Sequence, residues 1–460
     1  MSSPPRFGEA LAEVFRLALP LMISTGMFSL VLFADRTMLL WYQDGSQMSA
    51  AMAAGNLFWT MVCLPTGIAS MTGAIVAQMV GSGREQQVGR FLWQSVWFAL
   101  AVSPLFVAIA LSAPWWFRIS GQPAELIDAE ATYLRILMLG AVGTMLEAGL
   151  GGFFNGIQRT RIIMWTSVGS GLVNVLFDLW FIFGGLGLPA LGIAGAAWAS
   201  VIAFWFKAVV YATVILRPAF EARFQIRGGF GWEPKLLGKL LYFGTPAGLQ
   251  HLIEAGVFTV IVLQIGQHGD LPLRATAMAM NFNMIAFIPL IGVSIATSVL
   301  VGHHLTSGGP AAAITAVQSS LAIGLGYSLI WACLYAFGAE WLLSFYRFGQ
   351  TEGNLEESIA LARGLLMFVA VYVFLDSIQL ILAGALRGAG DTWFVLVSSL
   401  VASGTSLAIG WWGIEPAVEA WGISHLHGWW AVITLWVWLL AVTMFARYRF
   451  GPWKSMRMVS

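Results

Sequence analysis

The sequence predicts an all-α polytopic membrane protein, and three observations support this fold class. Of the 460 residues, 58% are hydrophobic and only 10% are charged, whereas a soluble domain carries about 25% charged residues. The mean hydropathy is +0.79. The apolar residues are gathered into long stretches separated by short polar or glycine-rich segments, and a helix needs about 20 apolar residues to cross a bilayer.

Twelve stretches are long and apolar enough to be transmembrane helices. The segment before the first of them carries Glu9 and Glu13 and does not resemble a cleaved signal peptide. The first stretch is therefore expected to remain in the membrane. The predicted spans are residues 14–41, 51–80, 91–117, 126–155, 162–185, 192–216, 236–266, 273–302, 312–345, 358–387, 393–413 and 427–447.

The Lys and Arg residues predict the orientation. With the N-terminus in the cytoplasm, sixteen of them fall on the inner side and five on the outer side, while Arg36 and Lys207 are ambiguous. Cytoplasmic loops are enriched in these residues. We therefore expect a multi-pass protein of the cell inner (cytoplasmic) membrane with both termini cytoplasmic, which agrees with an even number of spans.

Several motifs occur twice, in the same order, 221 to 232 residues apart. Leu19-Pro20 in span 1 corresponds to Thr245-Pro246 in span 7, and Asn155-Gly156 after span 4 corresponds to Arg387-Gly388 after span 10. The repeat predicts two six-helix lobes, residues 1–225 and 226–460, related by a pseudo-two-fold axis along the membrane normal. Repeats of this kind are typical of secondary transporters.

Acidic residues inside the predicted spans are the first candidate site, because a charge in hydrocarbon costs about 2.5–3.5 kcal/mol or more and such acids are rarely only structural. Asp35 lies in span 1, and Asn174 and Asp178 are four residues apart in span 5, on one helix face. If the two spans are neighbours, two carboxylates and an amide oxygen converge on a site for Na⁺ or H⁺. Two alternatives stay open: an interfacial Asp35 paired with Arg36, and an Asn174–Asp178 pair that only joins helices.

A second candidate set lies in the other half of the chain. Tyr372 and Asp376 are four residues apart in span 10, and Glu254 lies in span 7. A phenol beside a carboxylate can hydrogen-bond it or help to line a cation pocket. The alternative is an interfacial Tyr372 with Asp376 near a helix end. Glu147 in span 4 either faces the same cavity as Asp376 or neutralises Arg135 or another neighbour.

Several function classes are not supported. The two cysteines, Cys63 and Cys333, form no CxxC pair or Cys/His cluster. There is no GxxxxGK[ST] loop for ATP, no evident nucleophile–His–acid set, and a net charge of +1 gives no basic tail for nucleic acid. We therefore expect neither an enzyme nor a nucleic-acid-binding protein.

A wider set of motifs follows one order along nearly the whole chain and resembles the MATE (multidrug and toxic compound extrusion) transporters of the NorM or DinF type. Two loops, at Gln158-Arg159 and at 302–305, depart from the pattern. The motifs that carry the resemblance are Leu19-Pro20 to Asp35, Gln78-Met79-Val80-Gly81-Ser82-Gly83, Asn155-Gly156 with Thr160, Asn174 to Asp178 with Ile182-Phe183-Gly184, 191–197, Gly244 with Pro246 and Glu254, and 386–392.

The resemblance implies two six-helix bundles around a V-shaped central cavity, and export of organic cations or drugs by alternating access, driven by Na⁺ or H⁺. No cofactor beyond the coupling ion is implied, and a monomer in the lipid bilayer is expected. Asp35, Asn174 and Asp178 match the family's first-lobe cation site and are the metal ligands if the ion is Na⁺. Glu254, Tyr372 and Asp376 match second-lobe residues for ion or substrate, so the lobe that couples stays open.

Two other functions fit the sequence less well. A lipid-linked oligosaccharide flippase shares the bundle architecture, but it is expected to line its cavity with more cationic residues for a pyrophosphate, whereas the candidates here are acidic. A non-transport membrane scaffold or enzyme needs a large soluble loop or a catalytic cluster, and neither is evident in the sequence.

Overall fold

The computed structural model describes residues 6–42, 46–185, 187–347, 355–422 and 424–459. Within these ranges the ordered secondary structure is helical. The helices are α1 (Phe7–Trp41), α2 (Ser46–Ser70), α3 (Thr72–Gly81), α4 (Val88–Leu111), α5 (Ala113–Ile119), α6 (Ala124–Gly156), α7 (Thr160–Phe183), α8 (Ile193–Ile215), α9 (Pro218–Phe224), α10 (Pro234–Gly266), α11 (Asp270–Ser307), α12 (Pro310–Phe337), α13 (Ala339–Ser344), α14 (Leu355–Ala389), α15 (Thr392–Trp421) and α16 (His425–Phe450).

The prediction of twelve spans is confirmed in the part of the chain that the structure describes. Twelve helical stretches are long and apolar enough to cross a membrane, and α2 and α3 together form one of them, Gln47–Gly81. The short helices α5, α9 and α13 lie between spans. Helices are the expected solution because lipid offers no hydrogen bonds to backbone groups, so each segment must satisfy its own.

The described residues group into two compact units. The N unit holds Ile23–Leu249, Gly302–Ser307 and the chain end from Arg457; the C unit holds the residues up to Met22, Gln250–Val301 and Gly308–Met456. Within the N unit, α6 is central and packs against α2, α3, α4, α5 and α8. Within the C unit, α14 has the corresponding place and packs against α12, α13, α15 and α16.

The boundaries of the units differ from the division predicted at residue 225, and local packing gives the reason. The first turns of α10 pack on α2, where a Cβ added at Gly244 would stand 2.8 Å from the Cα of Ile68. The first half of α1 packs on α11, where a Cβ at Gly292 would stand 2.6 Å from the nitrogen of Met22. The six-plus-six division at residue 225 stays a prediction based on the repeat.

Each unit contains a helix pair that is joined through glycines at matching positions. In the N unit, a Cβ at Gly152 would stand 3.0 Å from the nitrogen of Gly73, and one at Gly156 would stand 2.8 Å from the oxygen of Gly73. In the C unit, Cβ atoms at Gly384 and Gly388, both 232 residues further along, would overlap the carbonyl oxygens of Ser294 and Ser298. Small residues let membrane helices approach this closely, and the shared pattern supports the internal repeat.

The connector between the two halves, residues 216–233 between α8 and α10, is ordered and packs on α4. The indole of Trp93 donates to the carbonyl of Ile226 (2.7 Å), and the amide of Gln94 donates to the carbonyl of Gly231 (2.9 Å). Arg223 in α9 makes two hydrogen bonds to Glu85, of 2.6 and 2.7 Å, which raise the pKa of the guanidinium. The sequence pattern gives no sign of this packing.

The close contact of Gly384 and Gly388 with α11, which we call the glycine seam of the C unit, gives a stability prediction. Replacing Gly388 with Ala places a methyl group against the carbonyl of Ser298, so we expect a loss of about 1–3 kcal/mol from overpacking. The measurement is the temperature at which the purified chain loses its monodisperse peak on size-exclusion chromatography. Gly404→Ala in α15 is the matched control, since nothing lies within 4 Å of its Cβ position. Equal heat resistance of the two variants would contradict the close contact.

Candidate functional site

The structure brings the first predicted set together inside the N unit. Asp35 in α1 is only 5% exposed, and Asn174 and Asp178 lie on the buried face of α7. The side-chain amide of Asn174, oriented with its nitrogen toward the acids, lies 2.8 Å from Oδ1 of Asp35 and 3.1 Å from Oδ2 of Asp178. Both carboxyl groups therefore lie on the same amide, and they interact with each other electrostatically. Two helices therefore contribute one compact polar cluster.

The orientation of the Asn174 amide depends on the state of the two acids. If both carboxylates are ionised they only accept hydrogen bonds, so the amide nitrogen must face them. If a proton or a cation occupies the cluster, the amide oxygen can face it instead. Oδ1 of Asp178 is buried and has no hydrogen-bond partner among the described residues, so an acceptor is left for an ion. The residues present fit a site for a proton or a small hard cation.

Two neighbouring hydroxyl groups belong to this cluster, and sequence reasoning missed them. Ser200 in α8 donates to Oδ2 of Asp35 at 3.5 Å. The buried side chain of Tyr133 in α6 lies near enough to interact electrostatically with both carboxyl groups. Single Ser and Tyr residues in apolar spans carry no pattern in the sequence, so only the rotation of α6 and α8 identifies them.

The alternative of an interfacial Asp35 paired with Arg36 does not agree with the structure. Asp35 is buried, and no ion pair joins it to Arg36 within the described ranges. The guanidinium interacts with Asp35 electrostatically without a direct contact. The acid lies in the interior of the N unit, so its burial has to be balanced by Asn174 and Ser200.

The second predicted set lies inside the C unit, with partners that the sequence did not indicate. One carboxylate oxygen of Glu254 accepts hydrogen bonds from the amide of Gln250 (2.7 Å) and the hydroxyl of Ser399 (3.1 Å). The oxygen of the Gln250 amide accepts from the guanidinium of Arg387 at 2.9 Å. Arg387, the last residue of predicted span 10, lies in the last turn of α14. An uncharged amide therefore joins the acid to a cation.

Asp376 and Tyr372 share the buried face of α14. The carboxyl group of Asp376 interacts electrostatically with that of Glu254. The hydroxyl of Tyr372 is buried and has no hydrogen-bond partner in the described part of the chain, so it does not bond Asp376 here. Asp376 is also followed by about three further turns of α14, which argues against a helix-end position.

Glu147 has a different environment from the other acids. Its carboxylate forms an ion pair with Lys207 in α8, with 2.8 Å between Nζ and Oε1. The side chains are 28% and 15% exposed, so the pair is largely removed from solvent. Of the two roles left open by the sequence, the structure supports neutralisation of a neighbour. That neighbour is Lys207, not Arg135.

Comparison with known proteins agrees with this architecture. The MatE family model matches residues 20–180 and 246–412. The multidrug resistance protein PmpM of Pseudomonas aeruginosa is 31% identical over 411 residues, which cover 88% of this chain and 84% of that protein. The probable multidrug resistance protein NorM of Xanthomonas campestris pv. campestris is 28% identical over 394 residues, which cover 85% of this chain and 84% of that protein.

Solved structures show the same fold. A MATE structure in complex with MaL6 superposes with a TM-score of 0.86 at 18% identity, over 97% of this chain and 98% of that one. The eukaryotic MATE transporter AtDTX14 superposes with a TM-score of 0.84 at 16% identity, over 98% of this chain and 97% of that one. The relatives named here do not favour the flippase, scaffold or enzyme alternatives. With the family model matching more than half of the sequence and a relative above 30% identity along most of it, this chain belongs to the MATE family of membrane transporters.

Proposed function

We propose that the chain is a cation-coupled antiporter that exports organic cations or drugs across the inner membrane by alternating access. The observation that carries the proposal is the buried cluster of Asp35, Asn174 and Asp178. Two relatives of this chain are named as multidrug resistance proteins, which supports a drug as the cargo. The excess of Lys and Arg on one side supports cytoplasmic termini.

The chemistry of the cluster suits a coupling ion. Two carboxylates on one amide repel each other when both are ionised, and burial adds to the cost. A proton or Na⁺ relieves that repulsion, so the loaded and empty clusters prefer different packing of α1 against α7. An ion can shift the transporter between states only by its difference in affinity for them. Asn174 suits either ion, because its amide presents a donor or an acceptor.

The C unit is proposed as a second site, for ion or cargo. Glu254 and Asp376 supply two acids, and Arg387 is held at a distance by Gln250. The guanidinium offsets part of the negative charge without a direct ion pair, which leaves one oxygen of Glu254 outside the Gln250 and Ser399 hydrogen bonds. Glu147 is proposed as the counter-ion of Lys207, not as a coupling acid.

The first-lobe proposal predicts that Asp35→Asn and Asp178→Asn each lower drug efflux about tenfold or more, the scale of a lost coupling energy. Each change removes a charge that the ion must neutralise. The measurement is dye efflux from vesicles in which a Na⁺ gradient and a pH gradient are imposed separately, and the gradient that drives the wild-type chain identifies the ion.

Asp128→Asn is the matched control for these variants, because Asp128 is an exposed acid near the start of α6. It should transport at the wild-type rate. Efflux at the wild-type rate in both Asp35→Asn and Asp178→Asn would reject the first-lobe site. If neither the Na⁺ gradient nor the pH gradient drives efflux by the wild-type chain, cation coupling itself is rejected.

The Gln250 bridge gives a separate prediction for the C unit. Gln250→Leu keeps a similar volume but removes a donor from Glu254 and an acceptor from Arg387, so we expect a loss of about 1–3 kcal/mol. Heat-induced loss of the folded chain in detergent measures it. Gln267→Leu, at an exposed position after α10, should behave like the wild type. A Gln250→Leu chain that is equally stable would show that the bridge contributes nothing.

A further inference from the structure

A cavity of about 220 Å³ lies in the C unit beside the beginning of α12 and the end of α16. It is lined by Ile314, Gln318, Tyr448, Arg449 and Lys454. These residues bring two positive charges, a phenol and an amide, and no carboxylate. None of them belongs to the acidic sites described above, so the chemistry of the cavity suits an anion rather than the exported cation.

The wall that carries the two cations is a defined structure. After α16 the chain forms a short 3₁₀ turn, Pro452–Ser455. The buried indole of Trp453 donates to the carbonyl of Tyr448 (2.7 Å), and the two rings stack with centroids 5.1 Å apart. Lys454, the next residue, therefore follows an anchored side chain, and it lines the cavity together with Arg449.

The basic residues at the end of α16 differ in their partners. Arg447 makes two hydrogen bonds to Asp391, of 2.7 and 3.2 Å, so its charge is balanced within the protein. Arg449 forms no ion pair with an acid in the described part of the chain; its guanidinium lies 5.6 Å from the ring of Phe450. The donors of Arg449 are therefore available to an external anion.

An apolar stripe on α16 leads to the cavity. Trp438, Val442 and Phe445 are exposed, and with Arg449 they are spaced four, three and four residues apart, so all four lie on one helix face. In a bilayer this face contacts acyl chains. The stripe and its guanidinium match the two parts of a phospholipid. The acyl chains can lie along the apolar residues, and the phosphate at their end can meet the guanidinium.

We propose that this cavity binds the phosphodiester headgroup of an anionic phospholipid, with the acyl chains along the α16 stripe. Arg449 and Lys454 pair with the phosphate, and Gln318 and Tyr448 can hydrogen-bond the rest of the headgroup. The volume admits a headgroup but not a whole lipid, so the chains must lie outside it. Basic pockets between transmembrane helices on the cytoplasmic side are a known means of holding such lipids.

The test is a titration of the purified full-length chain in neutral detergent with phosphatidylglycerol, phosphatidylcholine and inorganic phosphate, read by native mass spectrometry. We expect saturable binding of phosphatidylglycerol only. Each Lys or Arg near a membrane surface contributes enough to change lipid affinity about fivefold, so Arg449→Gln with Lys454→Gln should weaken binding about 25-fold. Arg449→Lys should retain most of it, because the charge remains.

Two further variants keep the proposal falsifiable. Ile314→Trp fills the cavity without removing a charge and should also weaken binding. Arg161→Gln with Lys235→Gln removes two exposed charges from the N unit and should leave binding unchanged. The proposal is overturned if the Arg449/Lys454 variant stays within about twofold of the wild type, if the N-unit control loses as much, or if inorganic phosphate displaces the lipid, since the ligand would then be free phosphate.

Discussion

The structure depends on one constraint: a polar group inside the bilayer must find its partner within the protein, because the surrounding lipid offers none. The backbone meets this constraint by forming helices. The side chains meet it through short contacts between helices of one unit. Asp35 faces Asn174 and Ser200, Glu147 faces Lys207, and Glu254 faces Gln250 and Ser399. The acids therefore determine which helix faces must meet, and the positions of the helices follow from them as much as from apolar packing.

The N unit and the C unit balance their acids in different ways. In the N unit, the two carboxyl groups of Asp35 and Asp178 share the amide of Asn174, so a change in the charge of either acid alters the hydrogen bonds of that amide. In the C unit, an amide separates Glu254 from the guanidinium of Arg387, so negative charge is offset at a distance. The first arrangement is suited to a proton or Na⁺ that comes and goes. The second keeps a standing negative field, which is suited to attracting a cation of variable shape.

The sequence predicted the twelve spans and the shared face of Asn174 and Asp178, because each depends on a local pattern: an apolar run, or an i, i+4 pair. The convergence of Asp35 with that pair was expected only if spans 1 and 5 are neighbours. It did not predict Tyr133, Ser200 or Arg387, nor Lys207 as the partner of Glu147. Those contacts depend on how far neighbouring helices rotate about their axes, and a single Ser or Arg in an apolar run carries no periodic signal. The packing of the connector on α4 was missed for a similar reason, since its hydrogen bonds use backbone carbonyls of the connector and side chains of a distant helix.

The glycine seams limit the kinds of movement that each unit can make. Gly152 and Gly156 are four residues apart and lie against α3, while Gly384 and Gly388 lie against α11 in the same spacing. A slide of one residue along either seam would bring Phe153 or Ala385 to a place that has no room for a Cβ atom. A shift of a full helical turn is no easier, because it would bring Ala148 or Thr160 in the N unit, and Leu380 or Thr392 in the C unit, to one of the glycine places. Each pair has to travel as a single rigid block, and any smooth bending during a transport cycle must be taken up by helices outside the seams.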